Sequence, residues 1–207
     1  APALSEVEQA GRTAILLAMD GRVVGLAAVA DPLRPEAAEA VAELRKRRIP
    51  AVLLSGDAER VAAAVGQQLG IEDVRGGVRP ENKAAAVEQM RRDGRVVAMV
   101  GDGVNDAPAL AAADVGIAVG SGTDVAMETA GVTLMRSDPR LVPAALDVSR
   151  MTWSKIRQNL FWAFVYNALG LPLAAFGLLS PAFAGAAMAL SSVCVVGNSL
   201  LLRRWRP

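Results

Sequence analysis

The sequence predicts an α/β protein: a parallel sheet with right-handed crossovers, followed by a hairpin of two membrane-spanning helices. Three observations carry this expectation. The first 154 residues alternate strand and helix patterns, the order that builds a parallel sheet. Between Arg157 and Arg203 lie 45 positions without a charged side chain. Two polar, glycine-bearing loops, Leu53–Asp57 and Val100–Leu110, directly follow apolar runs, and in open parallel sheets ligands bind beyond the carboxyl ends of the strands.

The elements follow in order. Strands Thr13–Met19 and Arg22–Val29 flank Asp20-Gly21, a dipeptide that favours a type I′ hairpin turn. An amphipathic helix, Pro35–Arg47, opens on proline after Asp31-Pro32. Ile49–Leu54 reads as a short buried strand running into Ser55-Gly56-Asp57, and helix Ala58–Leu69 is stopped by Gly70. Helix Pro80–Arg92 starts on proline and is followed by Gly94; strand Val96–Val100 then enters Gly101-Asp102-Gly103-Val104-Asn105-Asp106. A short helix, strand Val115–Val119, helix Asp124–Ala130 and strand Val132–Met135 complete the pattern, and helix Arg140–Ser154 leads to the apolar run.

Ser180-Pro181 splits that run into Leu160–Leu179 and Ala182–Leu202, each about 20 residues, enough to cross a ~30 Å hydrocarbon core. Arg150, Lys155 and Arg157 precede the pair and Arg203, Arg204 and Arg206 follow it. Basic flanks at both ends predict that both ends are cytoplasmic. The chain's charge is +1 overall, but from Lys155 onward there are five basic residues and no acidic one.

Composition narrows the function. A 53% hydrophobic content and a mean hydropathy of +0.33 exclude a disordered chain. The charge balance gives no sign of a nucleic-acid partner. With no histidine, His-ligated zinc and a histidine general base are excluded; the single Cys194 excludes an internal disulfide framework and a cysteine-cluster metal site. The chain opens on alanine without a signal-peptide pattern, which predicts a piece of something longer.

Two loops and one lysine carry chemistry. In Leu53-Leu54-Ser55-Gly56-Asp57, a hydroxyl beside a glycine can donate to a phosphate oxygen, although a turn with Ser55 as helix cap explains the segment equally well on its own. In the second loop Asp102 and Asp106 stand four apart with nothing bulky between them. Paired carboxylates on a tight loop suit Mg²⁺, which takes hard oxygen ligands and keeps several waters. A solvated acidic turn explains the aspartates but not the Gly-x-Gly spacing or the immediate switch to a helix. Lys83 lies in the first turn of its helix, disfavoured there by the helix dipole unless it reaches an anion. The other lysines, Lys46 and Lys155, lie where either cation would serve.

In that order, Ser55-Gly56-Asp57, Pro80-Glu81-Asn82-Lys83 and the run Gly101–Leu110 resemble the phosphorylation domain of P-type ATPases, a branch of the haloacid dehalogenase superfamily. The likeness continues through Ala113–Ala130 and the membrane hairpin. It implies a Rossmann-like parallel sheet, with residues 1–29 closing a nucleotide-binding domain, 30–139 forming the C-terminal part of the phosphorylation domain, and 140–207 a connecting helix and hairpin. It implies Mg²⁺ on Asp102 with Asp106 supporting, Ser55 and Lys83 on the transferred phosphoryl oxygens with Asn105 assisting, and Gly56 and Asp57 completing the first loop. ATP would be the phosphoryl donor to an aspartate whose later hydrolysis drives transport.

One departure is decisive for the chain alone. The family nucleophile is the first aspartate of Asp-Lys-Thr-Gly-Thr, and none of the eleven aspartates here precedes a lysine. The strand bearing it belongs at the centre of the sheet, so its neighbours should be left with open edges. The chain is therefore expected to be inactive alone, complete only with an N-terminal part in the same or another polypeptide. Two other readings remain: a membrane-anchored phosphatase, for which Asp31 is the early nucleophile candidate, and a non-catalytic subunit completing another polypeptide.

The hairpin holds Tyr166 and Asn167 in one span and Met188, Ser191 and Ser192 in the other. Counted at 1.5 Å per residue, Asn167 lies roughly 15 Å in from Arg157 and Ser192 roughly 16 Å in from Arg203. No carboxylate is present, which argues against hard ions; a thioether with hydroxyl and amide neighbours suits a soft monovalent cation, Cu(I) or Ag(I). Core packing of Met188 and helix–helix contact at Ser191-Ser192 account for the same residues on chemistry alone. The resemblance favours the ion, since Tyr166, Asn167, Met188 and Ser192 match the ion-site motifs of copper-transporting heavy-metal pumps. It also implies a multi-pass protein of the plasma (inner) membrane with its α/β part cytoplasmic. Cys194 falls outside the motif and is expected to be a buried structural thiol.

Overall fold

The computed structural model describes residues 2–10, 12–29, 32–102, 104–120 and 124–205. They fall into two compact units, Ala1–Pro143 and Ala144–Pro207.

In the first unit a short helix α1 (Pro2–Gln9), not foreseen from the sequence, precedes an antiparallel hairpin of β1 (Thr13–Met19) and β2 (Arg22–Val29). Asp20 at φ 49° and Gly21 at φ 74° meet the requirement of a type I′ turn for positive φ at both central residues. The remainder is α2 (Pro35–Lys46), β3 (Val52–Leu54), α3 (Glu59–Leu69), β4 (Asp73–Arg75), α4 (Pro80–Arg92), β5 (Ala98–Gly101), a 3₁₀ turn (Val104–Asp106), α5 (Ala107–Ala112), β6 (Val115–Val119), α6 (Asp124–Thr129) and β7 (Val132–Leu134). Among the described residues β3 pairs only with β4, and β5, β6 and β7 pair in that order, all parallel.

β3 and β5 are therefore each the end strand of a separate sheet. The break falls where the nucleophile-bearing strand is expected. One helix nonetheless serves both sides of it: Val87 and Met90 of α4 are buried with Ala109, and Val52 and Leu54 of β3, Val97, and Met99 of β5 pack against them. Burial of such side chains contributes roughly 1.5–3 kcal/mol each, so α4 is the element that holds the two part-sheets to one core.

Strand lengths differ from expectation for local reasons. β3 begins at Val52 instead of Ile49, because Pro50 has no N–H to give a ladder and Arg48 ends α2 at φ 58°. That left-handed residue lets Ile49 N donate back to Leu44 O at 3.0 Å, the helix ending usually made with glycine. β5 starts at Ala98 because Val97 N donates to Asp114 Oδ2 at 2.9 Å. Near the end of the unit, Arg34 donates to Ser137 O and Arg140 bonds both Asp138 (3.0 Å) and Glu39 (3.3 Å). The Asp138 hydrogen bond, followed by that carboxylate's charge, raises the Arg140 pKa further above its ordinary value.

In the second unit the connecting helix and first apolar segment form one helix, α7 (Leu141–Ala175), whose first three residues belong to the first unit. It ends four residues before the expected Leu179, because Gly177 turns left-handed at φ 68° and Leu178 N donates to Leu173 O at 2.9 Å. α8 (Pro181–Leu200) starts with Ser180 Oγ accepting from Phe183 N at 3.3 Å and passes into a 3₁₀ turn, Leu201–Arg204. Among the described residues one helical stretch, Pro181–Arg204, is long and apolar enough to cross a membrane.

Candidate functional site

The chemistry-bearing loop is positioned by three neighbours. β5 ends on Gly101, the 3₁₀ turn brings Asp106 round, and Pro108 stands in the first turn of α5. Lys83, Val87 and Met90 lie at i, i+4 and i+7 of α4, one helix face. Since Val87 and Met90 are buried in the core, Lys83 is carried one turn beyond them toward the end of β5. Its Nζ donates to Asp106 Oδ1 at 2.8 Å, with the two side chains only 17% and 13% exposed. This is a half-buried ion pair, and an ammonium keeps two further donors for another anion.

Gly101 explains part of the Gly-x-Gly spacing. A Cβ there would lie 2.7 Å from Asp106 Cβ and 2.9 Å from Asp106 Oδ2, so the strand end must be glycine for Asp106 to sit where Lys83 reaches it. Gly103 lies outside the described residues. Asp102 and Asn105 are exposed on the same loop.

At the end of β3, Ser55 Oγ donates to Asp57 Oδ2 at 2.8 Å and accepts from Asp57 N at 3.1 Å. A Cβ on Gly56 would meet only Val78 O, at 3.7 Å, an ordinary contact that leaves backbone approach open. Among the described residues no hydrogen bond joins Ser55–Asp57 to the β5 loop, as follows from β3 and β5 lying in separate sheets. Lys83 and Asp106 are thus brought together; Ser55 and Asp57 form a second, separate group. Asp31, the early nucleophile candidate, lies outside the described residues.

The donor set around Asp102 and Asp106 fits Mg²⁺. Both are hard oxygen ligands, and Mg²⁺ is commonly bound by one or two carboxylates with waters and substrate phosphate filling the rest. Among the described residues no group of three or more acidic or cysteine side chains could hold a metal ion.

In the second unit Asn167 Nδ2 donates to Ala163 O at 2.9 Å and Ser192 Oγ donates to Met188 O at 3.2 Å. Each of these donors bonds a carbonyl one turn back on its own helix, which leaves the side-chain oxygens with acceptor lone pairs. Met188 is 73% exposed, and the Tyr166 ring stands 6.4 Å from that of Trp162. Cys194 is exposed, not the buried thiol expected. Sequence reasoning reads Lys155 only as a flanking cation and passes over Asn159 and Asn198. Lys155 Nζ donates to Asn198 Oδ1 at 2.7 Å and to Gln158 Oε1 at 3.3 Å, Asn198 Nδ2 to Asn159 Oδ1 at 2.8 Å, and Asn159 Nδ2 to Ser199 Oγ at 2.9 Å.

Residues 2–114 match the family of haloacid dehalogenase-like hydrolases. The chain belongs to that family. It is 50% identical over 203 residues to the copper-exporting P-type ATPase of Staphylococcus haemolyticus, covering 98% of this chain and 26% of that protein. It is 51% identical to a probable copper-importing P-type ATPase of Enterococcus hirae, over 96% of this chain and 28% of the relative. A zinc-transporting PIB-type ATPase solved in its E2.Pi state shares the fold with a TM-score of 0.84 at 38% identity, covering 97% of this chain and 33% of that one. The chain therefore spans about a quarter of the length of the curated relatives it matches.

Proposed function

We propose that this chain is the C-terminal portion of an ATP-driven heavy-metal pump that moves Cu(I), or the chemically similar Ag(I), through an aspartyl-phosphate intermediate. The observation that carries the reading is the Lys83–Asp106 pair at the carboxyl end of β5, beside the break between the β3 and β5 sheets. A nucleophilic aspartate delivered by a strand between β3 and β5 would enter between the Ser55 loop and the Lys83–Asp106 pair. Lys83 would hold a phosphoryl oxygen with its remaining donors, the Ser55 hydroxyl would rotate from Asp57 to donate to another, and Asn105 would assist. Mg²⁺, held by Asp102 and Asp106, would supply charge neutralisation on the phosphoryl group. Without that aspartate the 207-residue chain does not turn ATP over.

For the cargo, the oxygen of Asn167, the hydroxyls of Tyr166 and Ser192 and the thioether of Met188 make an uncharged set with one soft ligand, suited to Cu(I). The copper-named relatives near 50% identity support this; those two are named for opposite directions of transport, and outward movement is proposed on the resemblance. The pump would be multi-pass in the plasma (inner) membrane, the α/β unit on the cytoplasmic side.

The test is phosphorylation of the complete pump by labelled ATP. Wild type should form a Mg²⁺-dependent, hydroxylamine-labile phosphoenzyme, and Asp102→Ala should form almost none. Unchanged labelling in Asp102→Ala, or phosphoester hydrolysis by the isolated chain, would count against the reading.

A further inference from the structure

The hydrogen bonds of Lys155, Asn198, Asn159 and Ser199 run in one direction. An ammonium can only donate, so Asn198 must present its oxygen to Lys155. Its amide nitrogen is then turned to the Asn159 oxygen, and the Asn159 nitrogen to Ser199. One cation therefore fixes the orientation of two amides and ties α7 to α8 across 39 to 43 residues of sequence. Lys155, Asn159 and Asn198 are all half-buried.

We propose that this ladder is a register clamp, with Lys155, Asn159 and Asn198 acting as positioning residues that set Tyr166 and Asn167 level with Met188 and Ser192. The proposal rests on the copper reading given above. Counting in opposite directions from the Asn159–Asn198 pair places Tyr166 opposite Ser191 and Asn167 opposite Leu190. Met188 and Ser192 then lie within about 5 Å of that level, at ~1.5 Å per residue. Rotation agrees with depth. At ~100° per residue, Tyr166 continues the Lys155–Asn159 face and Met188 lies within about 30° of the Asn198–Ser199 face. Asn167 and Ser192 turn roughly 70–100° from the seam, and because the helices are antiparallel both turn toward the same side.

The clamp matters because metal sites tolerate little error. A slip of one residue moves a side chain by ~1.5 Å and turns it by ~100°, whereas ligand distances must hold to about 0.2 Å. A ladder that served only to associate the helices would affect the amount of folded pump and leave metal affinity unchanged.

The experiment measures Cu(I)-activated ATP hydrolysis by the complete pump in proteoliposomes. Lys155→Met and Asn198→Leu should raise KM for Cu(I) at least tenfold with kcat within twofold, and Lys155→Arg, which keeps the donors, should return KM to within threefold of wild type. Unchanged KM in Lys155→Met and Asn198→Leu, beside loss of activation in Met188→Leu, would overturn the clamp and leave the copper site standing. Unchanged KM in all three, Met188→Leu included, would overturn both. A second readout needs neither metal nor a ladder variant. With Cys194→Ser in place and the ladder intact, Trp162→Cys and Val195→Cys should be joined by a short bifunctional thiol reagent more readily than Trp162→Cys with Val193→Cys or Leu200→Cys. Equal or inverted yields would overturn the clamp.

Discussion

Replacing Gly101 by alanine isolates one contact. Gly101 does not have a positive φ, so alanine there carries no backbone strain; its whole effect comes from the new Cβ. That atom would stand 2.7 Å from Asp106 Cβ, about 0.7 Å inside the 3.4 Å at which ordinary van der Waals contact begins. Asp106 cannot retreat freely, because its carboxylate is held by Lys83 at 2.8 Å and it leads directly into α5. Overpacking of this kind costs about 1–3 kcal/mol, and a shift near 0.7 Å exceeds the ~0.2 Å that metal-ligand distances allow. At about 1.4 kcal/mol per tenfold, the Mg²⁺ concentration giving half-maximal phosphoenzyme should rise roughly 5- to 140-fold in Gly101→Ala. Gly94→Ala is the control: Gly94 sits at φ 81°, and a methyl group added there would have nothing within 4 Å, so this variant should lose stability and keep its Mg²⁺ requirement. A Gly101→Ala pump with the wild-type Mg²⁺ dependence would refute the placement of Asp106 at the metal.

Two other predictions concern charge. Lys83→Met leaves Asp106 half-buried without its cation and removes a donor to the phosphoryl group; losing one such donor typically slows the chemical step about 10²–10³-fold, and single-turnover phosphorylation within threefold of wild type would contradict the role. Asp114 accepts from Val97 N and from Arg91, and these hydrogen bonds, Val97 first, lower its pKa below the ordinary aspartate value. A carboxyl depressed by folding stabilises above its unfolded pKa, about 3.9, and loses that contribution as pH falls through the lower folded value. The stability difference between wild type and Asp114→Asn should therefore be constant from pH 7 to 5 and shrink below pH 4; a difference that stays constant to pH 3 would contradict it.

The parallel α/β order is legible in the sequence because α2 and α4 start on proline, α5 has Pro108 in its first turn and Gly70 stops α3, signals set by local backbone chemistry. The open edges at β3 and β5 are legible from the motif that the chain lacks. What escapes is decided at long range. β5 begins two residues late because an aspartate 17 positions on captures Val97 N. β4 has one apolar residue, Val74, in three, too few to show a period. Lys83 can be read as an anion partner, but its partner is Asp106 itself, 23 residues away. Lys155 reads in sequence as an interchangeable membrane-flanking cation; in the fold it organises two asparagines that no periodicity connects. Free thiols usually lie inside, the expectation for Cys194, yet on α8 it is exposed.

The central claim is tested most directly by the cation that drives the complete pump. In proteoliposomes, ATP hydrolysis should be activated by Cu(I) and Ag(I), should be unaffected by Zn²⁺, and should lose its Cu(I) activation in Met188→Leu. Activation by Zn²⁺ without Cu(I), the behaviour suggested by the name of the zinc-transporting structural relative, would contradict the account.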